Sequence, residues 1–175
     1  VRVSLLSGNS SEVEQALGEQ AVDLGMVESV SRRQGLHYTF FAPDELVLVT
    51  RTGGRYARTE SLTCEQLLST PLVLRENGSG TLEVISAALA AKGIRLSQLD
   101  VVMRLGTTEG IKGFVRNSDV LAIVSVTSVV DELRSGALRI IDIEGLTLSR
   151  DFNFVHAEAE PARLVRQFVD FARAN

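Results

Sequence analysis

Apolar and polar positions along this chain change period several times, and the changes predict alternating short strands and helices. Residues 1–6 (VRVSLL) alternate and then run apolar, as a strand does. Gly8-Asn9-Ser10-Ser11 follows as a turn, and Ser11 and Glu14 have capping-box spacing. Val13, Ala16 and Leu17 then share one helical face. Residues 22–27 read as a second strand, so the first segment predicts a strand–helix–strand unit with parallel pairing and a right-handed crossover. Residues 28–44 are polar and irregular apart from a short run over 38–41. Leu46–Thr50 is a strongly apolar strand, broken by Thr52-Gly53-Gly54-Arg55. The polar stretch after that break marks a lobe boundary.

Beyond it the alternation resumes. Leu72–Leu74 is a strand, and Thr81–Lys92 a helix with Leu82, Ile85 and Leu89 on one face and Gly93 at its end. Val101–Leu105 is a strand. The next helix opens at Gly106-Thr107-Thr108-Glu109 and turns Ile111, Phe114 and Val115 inward. Val120–Val124, a helix over Ser128–Ser135 closed by Gly136, and a strand over Leu138–Ile143 follow. Phe152–His156 is a last strand. Pro161 suits the first turn of a final helix whose apolar face holds Leu164, Val165, Phe168 and Ala172. The class is α/β, with a predominantly parallel sheet expected.

Composition narrows the function. The chain has 175 residues, of which 45% are apolar, enough for one ordinary domain or two small lobes. A net charge of −4 argues against gripping DNA or an anionic membrane unaided. The single cysteine, Cys64, excludes an internal disulfide, and a cytoplasmic location is expected. Thr63 and Gln66 have the spacing of a helix start, which makes Cys64 structural. No apolar run approaches the roughly 20 residues of a membrane span. The chain opens inside a strand pattern, as a fragment would.

The most informative stretch is Leu72-Val-Leu-Arg-Glu-Asn-Gly-Ser-Gly-Thr81. A strand stops, two glycines bracket a serine, and a threonine leads into a helix. Free N–H groups at a helix start, flanked by hydroxyls, suit a carboxylate, phosphate or sulfate. Asn9-Ser10 and Thr107-Thr108 repeat the device after other strands. Each hydroxyl could merely cap its own helix. Together the three turns suggest a shared pocket at the carboxyl ends of strands. Neither a P-loop nor a nucleophile elbow fits residues 78–81. Arg75 and Arg104 could each reach an anion bidentately, or form salt bridges. His37, His156, Asp23, Glu28, Asp142 and Glu144 are expected to be solvated, cap-like or locally bonded. No metal and no cofactor is expected, since no His/Cys cluster has ligand spacing.

Several stretches together resemble the effector-binding domain of LysR-type transcriptional regulators. They are Gly8-Asn9-Ser10 with Val13 and Leu17, Ala21-Val-Asp-Leu-Gly-Met-Val-Glu28, Asp44-Glu-Leu-Val-Leu-Val49, Arg75-Glu-Asn-Gly-Ser-Gly-Thr81, Thr107-Thr108-Glu109 with Ile111-Lys112 and Val115, Asp119–Ser125, and Glu132-Leu133 through Gly136-Ala-Leu138. The resemblance implies a fold like the type II periplasmic binding proteins. Two Rossmann-like α/β lobes are joined by two crossover strands, with a small-molecule site between them. Lobe I then holds residues 1–50 and 152–175, and lobe II residues 51–151. Gly78, Ser79, Gly80 and Thr81 would contact an anionic or zwitterionic effector, with Thr107 and Thr108 beside them and Asn9, Ser10 and Glu28 opposite. The family's domain begins with a further strand and helix and follows a helix-turn-helix and linker helix, none of them in these residues. DNA would be bound only through that helix-turn-helix part, by a homodimer, without a membrane. The rivals are a solute-binding protein of a transporter and, more remotely, an enzyme on the same scaffold.

Overall fold

The computed structural model describes residues 2–28 and 30–174. Val1, the first residue of the expected strand over 1–6, lies outside them. The chain forms two compact units: Val1–Pro43 with Gly78–Gly80 and Arg150–Asn175, and Asp44–Asn77 with Thr81–Ser149. In chain order the elements are α1 (Ser10–Gly18), β1 (Gly25–Val27), β2 (His37–Arg51), β3 (Ser61–Leu62), α2 (Cys64–Leu68), β4 (Leu72–Arg75), α3 (Gly80–Ala90), β5 (Val101–Leu105), α4 (Thr108–Arg116), β6 (Leu121–Ser125), α5 (Val130–Arg134), β7 (Leu138–Ile143), β8 (Leu148–His156) and α6 (Arg163–Ala174). Strands β2 and β8 each carry residues of both units.

In the first unit, α1 begins earlier than the Ser11–Glu14 spacing predicts. Asn9 is the cap: its Oδ1 accepts from Glu12 N–H at 3.0 Å, and Glu12 Oε2 accepts from Asn9 N–H at 2.9 Å. Asparagine is as good a cap as serine, and Ser11 N–H is already donated to Gly78 O at 3.1 Å. Val13 and Leu17 of α1 bury against Val27 of β1 and Val155 of β8. The Tyr38 hydroxyl donates to Glu14 Oε1 at 2.9 Å, and burial is the first of the causes that raise its pKa.

Three expectations fail here. Residues 2–6 are not a strand, and Val3 and Leu5 are 88% and 94% exposed. Alternation marks which side chains share a face, but a strand needs a neighbouring ladder. Strand β1 pairs with β8 instead, antiparallel, with Gly25 opposite Val155 and Val27 opposite Asn153. The region read as irregular before Leu46 is also extended, since β2 starts at His37. In α6, Leu164 and Phe168 are exposed, though Phe168 sets its ring edge against Phe154 at 6.1 Å. The amphipathic period placed them together without supplying a cover.

The second unit is built on strands buried on both faces. Strand β4 lies between β5 and β6, parallel to both. Residues 46–49 of β2 pair antiparallel with β6, and residues 48–51 with β7, which runs parallel to β3. The sheet is therefore mixed and not predominantly parallel. Hydrophobic period reports burial, and carries no strand direction. Alternate residues go to opposite cores. Leu72, Leu74, Leu121 and Ile123 meet Leu82, Ile85 and Leu89 of α3. Val73, Ala122 and Val124 meet Ile111 and Val115 of α4. At α2 the Thr63–Gln66 capping box forms as its spacing predicts. Cys64 is half-buried, with Sγ 3.9 Å from Glu144 O.

One ionic cluster, with Lys112 and Glu132 largely buried and Glu109 exposed, ties α4 to the segment behind β6. Lys112 Nζ lies 2.8 Å from Glu109 Oε1, 2.9 Å from Ser128 O and 2.9 Å from Glu132 Oε1. Burial alone would lower the Lys112 pKa, but the hydrogen bonds to Glu109 and Glu132 outweigh it and the pKa is raised. The Lys112 hydrogen bond outweighs burial at Glu132 and lowers its pKa. Glu132 Oε2 is buried and takes no hydrogen bond among the described residues.

Ile85→Ala, which opens a cavity in the α3 core, should cost about 3 kcal/mol in urea unfolding. Lys112→Met should also cost about 3 kcal/mol at neutral pH, because it leaves a buried carboxylate unpaired. A depressed carboxylate pKa stabilises above its unfolded value, and that benefit is lost as pH falls through the folded one. The Lys112→Met deficit should therefore shrink on acidification below the ordinary carboxylate range. A raised lysine pKa stabilises below its unfolded value, so the parent should lose the Lys112 contribution as pH climbs above the ordinary lysine range. Unfolding curves across pH check both limbs.

Candidate functional site

Six of the residues singled out in sequence gather in the first unit. Gly78-Ser79-Gly80 is seated on the start of α1. Gly78 has φ +89°, a left-handed conformation that suits glycine, and a Cβ there would fall 3.1 Å from Asn9 Oδ1 and 3.2 Å from Ser11 Cβ. At Gly80 the crowding is greater: a Cβ would lie 2.8 Å from the Glu28 backbone carbon, from Glu28 Cγ and from Ser10 Oγ. Ser10, Glu28 and Gly80 thus meet with no room for a methyl group. The starts of α1 and α3 are brought to one turn, and both carry the partial positive charge of a helix N-terminus. Ser79, which immediately precedes α3, is 3% exposed.

Glu28 sits among these groups. Its Oε2 accepts from Ser10 Oγ at 3.4 Å, and its Oε1 lies 3.4 Å from Arg150 Nη1. Arg150 belongs to β8, and its guanidinium also lies over the Phe152 ring at 5.2 Å. Sequence reading passed over Arg150. Its partner is distant in the chain, and the one available signal was a cation at the head of an aromatic strand.

In the second unit, Thr81 is buried in the first turn of α3. Thr107 caps α4, with its Oγ1 accepting from Gly110 N–H at 3.1 Å. Thr108 Oγ1 accepts from Arg75 Nη1 at 3.5 Å. The parallel register explains this contact: Arg75 pairs with Leu105, so the chain leaves β4 and β5 at the same sheet edge. Arg75 is already engaged bidentately by Glu76, at 2.8 and 3.0 Å. Arg104 Nη1 donates to Arg75 O at 3.3 Å. Arg75 therefore makes the salt bridge weighed as its alternative, while the Arg104 contact is to a backbone carbonyl.

The remaining polar residues stand apart from these groups. His37 and His156 stack at 5.5 Å between ring centroids, and His156 Nδ1 lies 2.6 Å from Glu158 O. Glu144 Oε1 accepts from Ser61 Oγ at 2.6 Å. Among the described residues no group of three or more His, Cys, Asp or Glu is placed to hold a metal ion. No helix of the described residues is long and apolar enough to cross a membrane.

The comparisons with known proteins show the family. The family model described as "LysR substrate binding domain" matches residues 1–175. Among curated relatives, the phosphonates import ATP-binding protein PhnC of Anaeromyxobacter dehalogenans is 35% identical over 99% of this chain and 35% of its own length. The uncharacterized HTH-type transcriptional regulator YeiE of Escherichia coli K12 is 30% identical over 97% of this chain and 57% of its own length. The chain thus spans about a third of the first relative and somewhat over half of the second.

Solved structures match as well. The regulatory domain of Synechocystis CcmR, in complex with 2-PG, superposes with a TM-score of 0.81 at 22% identity, over 95% of this chain and 79% of that one. A phosphate ABC transporter substrate-binding protein from Clostridium perfringens, with bound phosphate, gives a TM-score of 0.75 at 19% identity, over 93% and 77%. The fold is thus that of the type II periplasmic binding proteins, two α/β units joined by two strands. On the match along its full length, this chain belongs to the LysR substrate-binding domain family.

Proposed function

We propose that this chain is the effector-sensing part of a LysR-type transcription factor, and that its effector is a small anionic or zwitterionic metabolite. The observation that carries the reading is the turn over Gly78–Gly80. It brings the starts of two helices and a buried serine together in a chain of this family. Backbone N–H groups at the start of α3 would hold the negative end of the effector. The side chains of Ser79, Thr81 and Thr107 would fix its orientation, with Thr108, Asn9, Ser10 and Glu28 as further contacts. Residues 1–50 with 152–175 and residues 51–151 would serve as lobes I and II. The 2-PG of the CcmR domain and the phosphate of the transporter protein are anions, as this reading requires.

The whole protein would act in the cytoplasm as a dimer and reach DNA through a helix-turn-helix part outside these residues. The HTH-type relative supports this arrangement over a transporter component. The effector would be bound and released without chemical change, so it should be recovered intact from the protein. A ligand can bias a regulator only by preferring one of its arrangements.

Titrating the chain with a panel of small acids that includes 2-PG and inorganic phosphate, while following the melting temperature, tests the reading. An effector at a hundred times its Kd should stabilise by about 2.7 kcal/mol. Ser79→Ala with Thr81→Ala should weaken that effector at least about tenfold. An undiminished response would place the site elsewhere.

A further inference from the structure

We propose that Thr127, just past the carboxyl end of β6, is a specificity-determining contact of the effector site. Its oxygen is held as an acceptor, so it selects an effector that carries a hydroxyl or ammonium group as well as a negative charge. This inference rests on the effector-binding reading above and narrows the class of molecule that reading admits.

The assignment starts from a count of hydrogens. Three groups of the second unit form a chain: the Asp44 carboxylate, the Ser125 hydroxyl and the Thr127 hydroxyl. Ser125 Oγ lies 2.8 Å from Asp44 Oδ1 and 2.7 Å from Thr127 Oγ1. A serine hydroxyl has one hydrogen to give, and a carboxylate can only accept. Asp44 therefore takes the Ser125 hydrogen. The bond between the two hydroxyls then has one possible direction: Thr127 donates and Ser125 accepts. With its hydrogen committed to Ser125, Thr127 Oγ1 can offer a further partner only lone pairs. Bonds in such a chain polarise one another, and Asp44 is the negative end, so the Thr127 oxygen gains strength as an acceptor. A carbonyl oxygen brought up to it sets lone pair against lone pair. A hydroxyl or ammonium group meets its complement.

The chain runs from inside to outside. Asp44 and Ser125 are 7% and 9% exposed, whereas Thr127 is exposed. The buried pair sets the hydrogen, and the exposed member can meet a ligand. The turn that carries Thr127, over Val126–Val129, is also tied down on both sides. Ser128 Oγ donates to Ser125 O at 2.7 Å, and Lys112 Nζ donates to Ser128 O at 2.9 Å.

Topology puts this acceptor beside the second unit's other candidate contacts. Strand β4 is parallel to both β5 and β6, so all three end at one edge of the sheet. Thr81 follows β4 there, Thr107 stands two residues past β5, and Thr127 two residues past β6. Asp44 reaches the same edge from the opposite direction, on antiparallel β2, two residues before Leu46, which pairs with Ser125. The edge thus combines the start of α3, which favours a negative group, with an oxygen that favours a donor. A molecule with both groups fits it better than a bare anion does.

Three acids with one carbon skeleton test the proposal. Lactate carries a hydroxyl, alanine an ammonium group and pyruvate a carbonyl oxygen at the same carbon. Isothermal titration of the intact chain should find lactate or alanine, whichever donor is read, bound at least about tenfold tighter than pyruvate. Thr127→Val, which keeps the shape and removes the oxygen, should cancel that preference by weakening the favoured acid and sparing pyruvate. Ser125→Ala frees the Thr127 hydrogen to turn toward a ligand, so pyruvate should bind tighter than it does to the parent. Damage to the fold would not produce that gain, and circular dichroism and melting curves check that each variant is folded. The proposal is overturned if pyruvate binds as tightly as lactate and alanine, including the case in which none of the three binds. It is overturned equally if Thr127→Val keeps the parent's preference, or if Ser125→Ala binds pyruvate no better than the parent. The two readings fail separately. If Ser79→Ala with Thr81→Ala weakens all three acids while Thr127→Val changes nothing, the α3 site stands and the Thr127 contact falls. If Thr127→Val acts and Ser79→Ala with Thr81→Ala does not, the Thr127 contact stands and the α3 contacts fall.

Discussion

Strands β4 and β6 are buried on both faces, and the second unit is organised by that constraint. A strand with no solvated side must carry an unbroken apolar run, and Leu72-Val-Leu and Leu121-Ala-Ile-Val do so. Its neighbours must then supply helices to both faces, which α3 and α4 do through Leu82, Ile85 and Leu89 on one side and Ile111 and Val115 on the other. With β4 and β5 parallel and Arg75 opposite Leu105, the turns that follow them leave from one edge. The polar residues there, Arg75, Arg104, Thr107 and Thr108, are adjacent because the hydrophobic layers behind them allow little else.

In the first unit the controlling feature is steric. Gly80 approaches Glu28 and Ser10 more closely than any side chain permits. That contact, with the Ser11–Gly78 backbone hydrogen bond, seats the turn on α1 and brings Glu28 within reach of Arg150. Two helix starts, a carboxylate and a buried guanidinium then share a small volume.

The sequence was most legible where a pattern repeats locally. The strand runs at 72–74, 101–105 and 138–143, the cap at Thr63 and the turn at Thr107 were all readable, because each depends on neighbours within a few residues. It was misleading where an element depends on a distant partner. Residues 2–6 alternate and yet form no strand, and Leu164 and Phe168 share a helical face that nothing in the described residues fully covers. Asn9, rather than Ser11, took the cap, and the Ser11 N–H found its acceptor at Gly78, which local spacing does not reveal.

The sequence by itself determined the α/β class, most of the second unit's elements and the helix-start turn at Gly78-Ser79-Gly80-Thr81. These follow from periodicity and from the backbone demands of glycine, which are local properties. Strand direction, the pairing of β1 with β8 and the meeting of Glu28 with Arg150 were decided only in three dimensions. They depend on which distant segments share a ladder or a cavity, and no spacing along the chain encodes that.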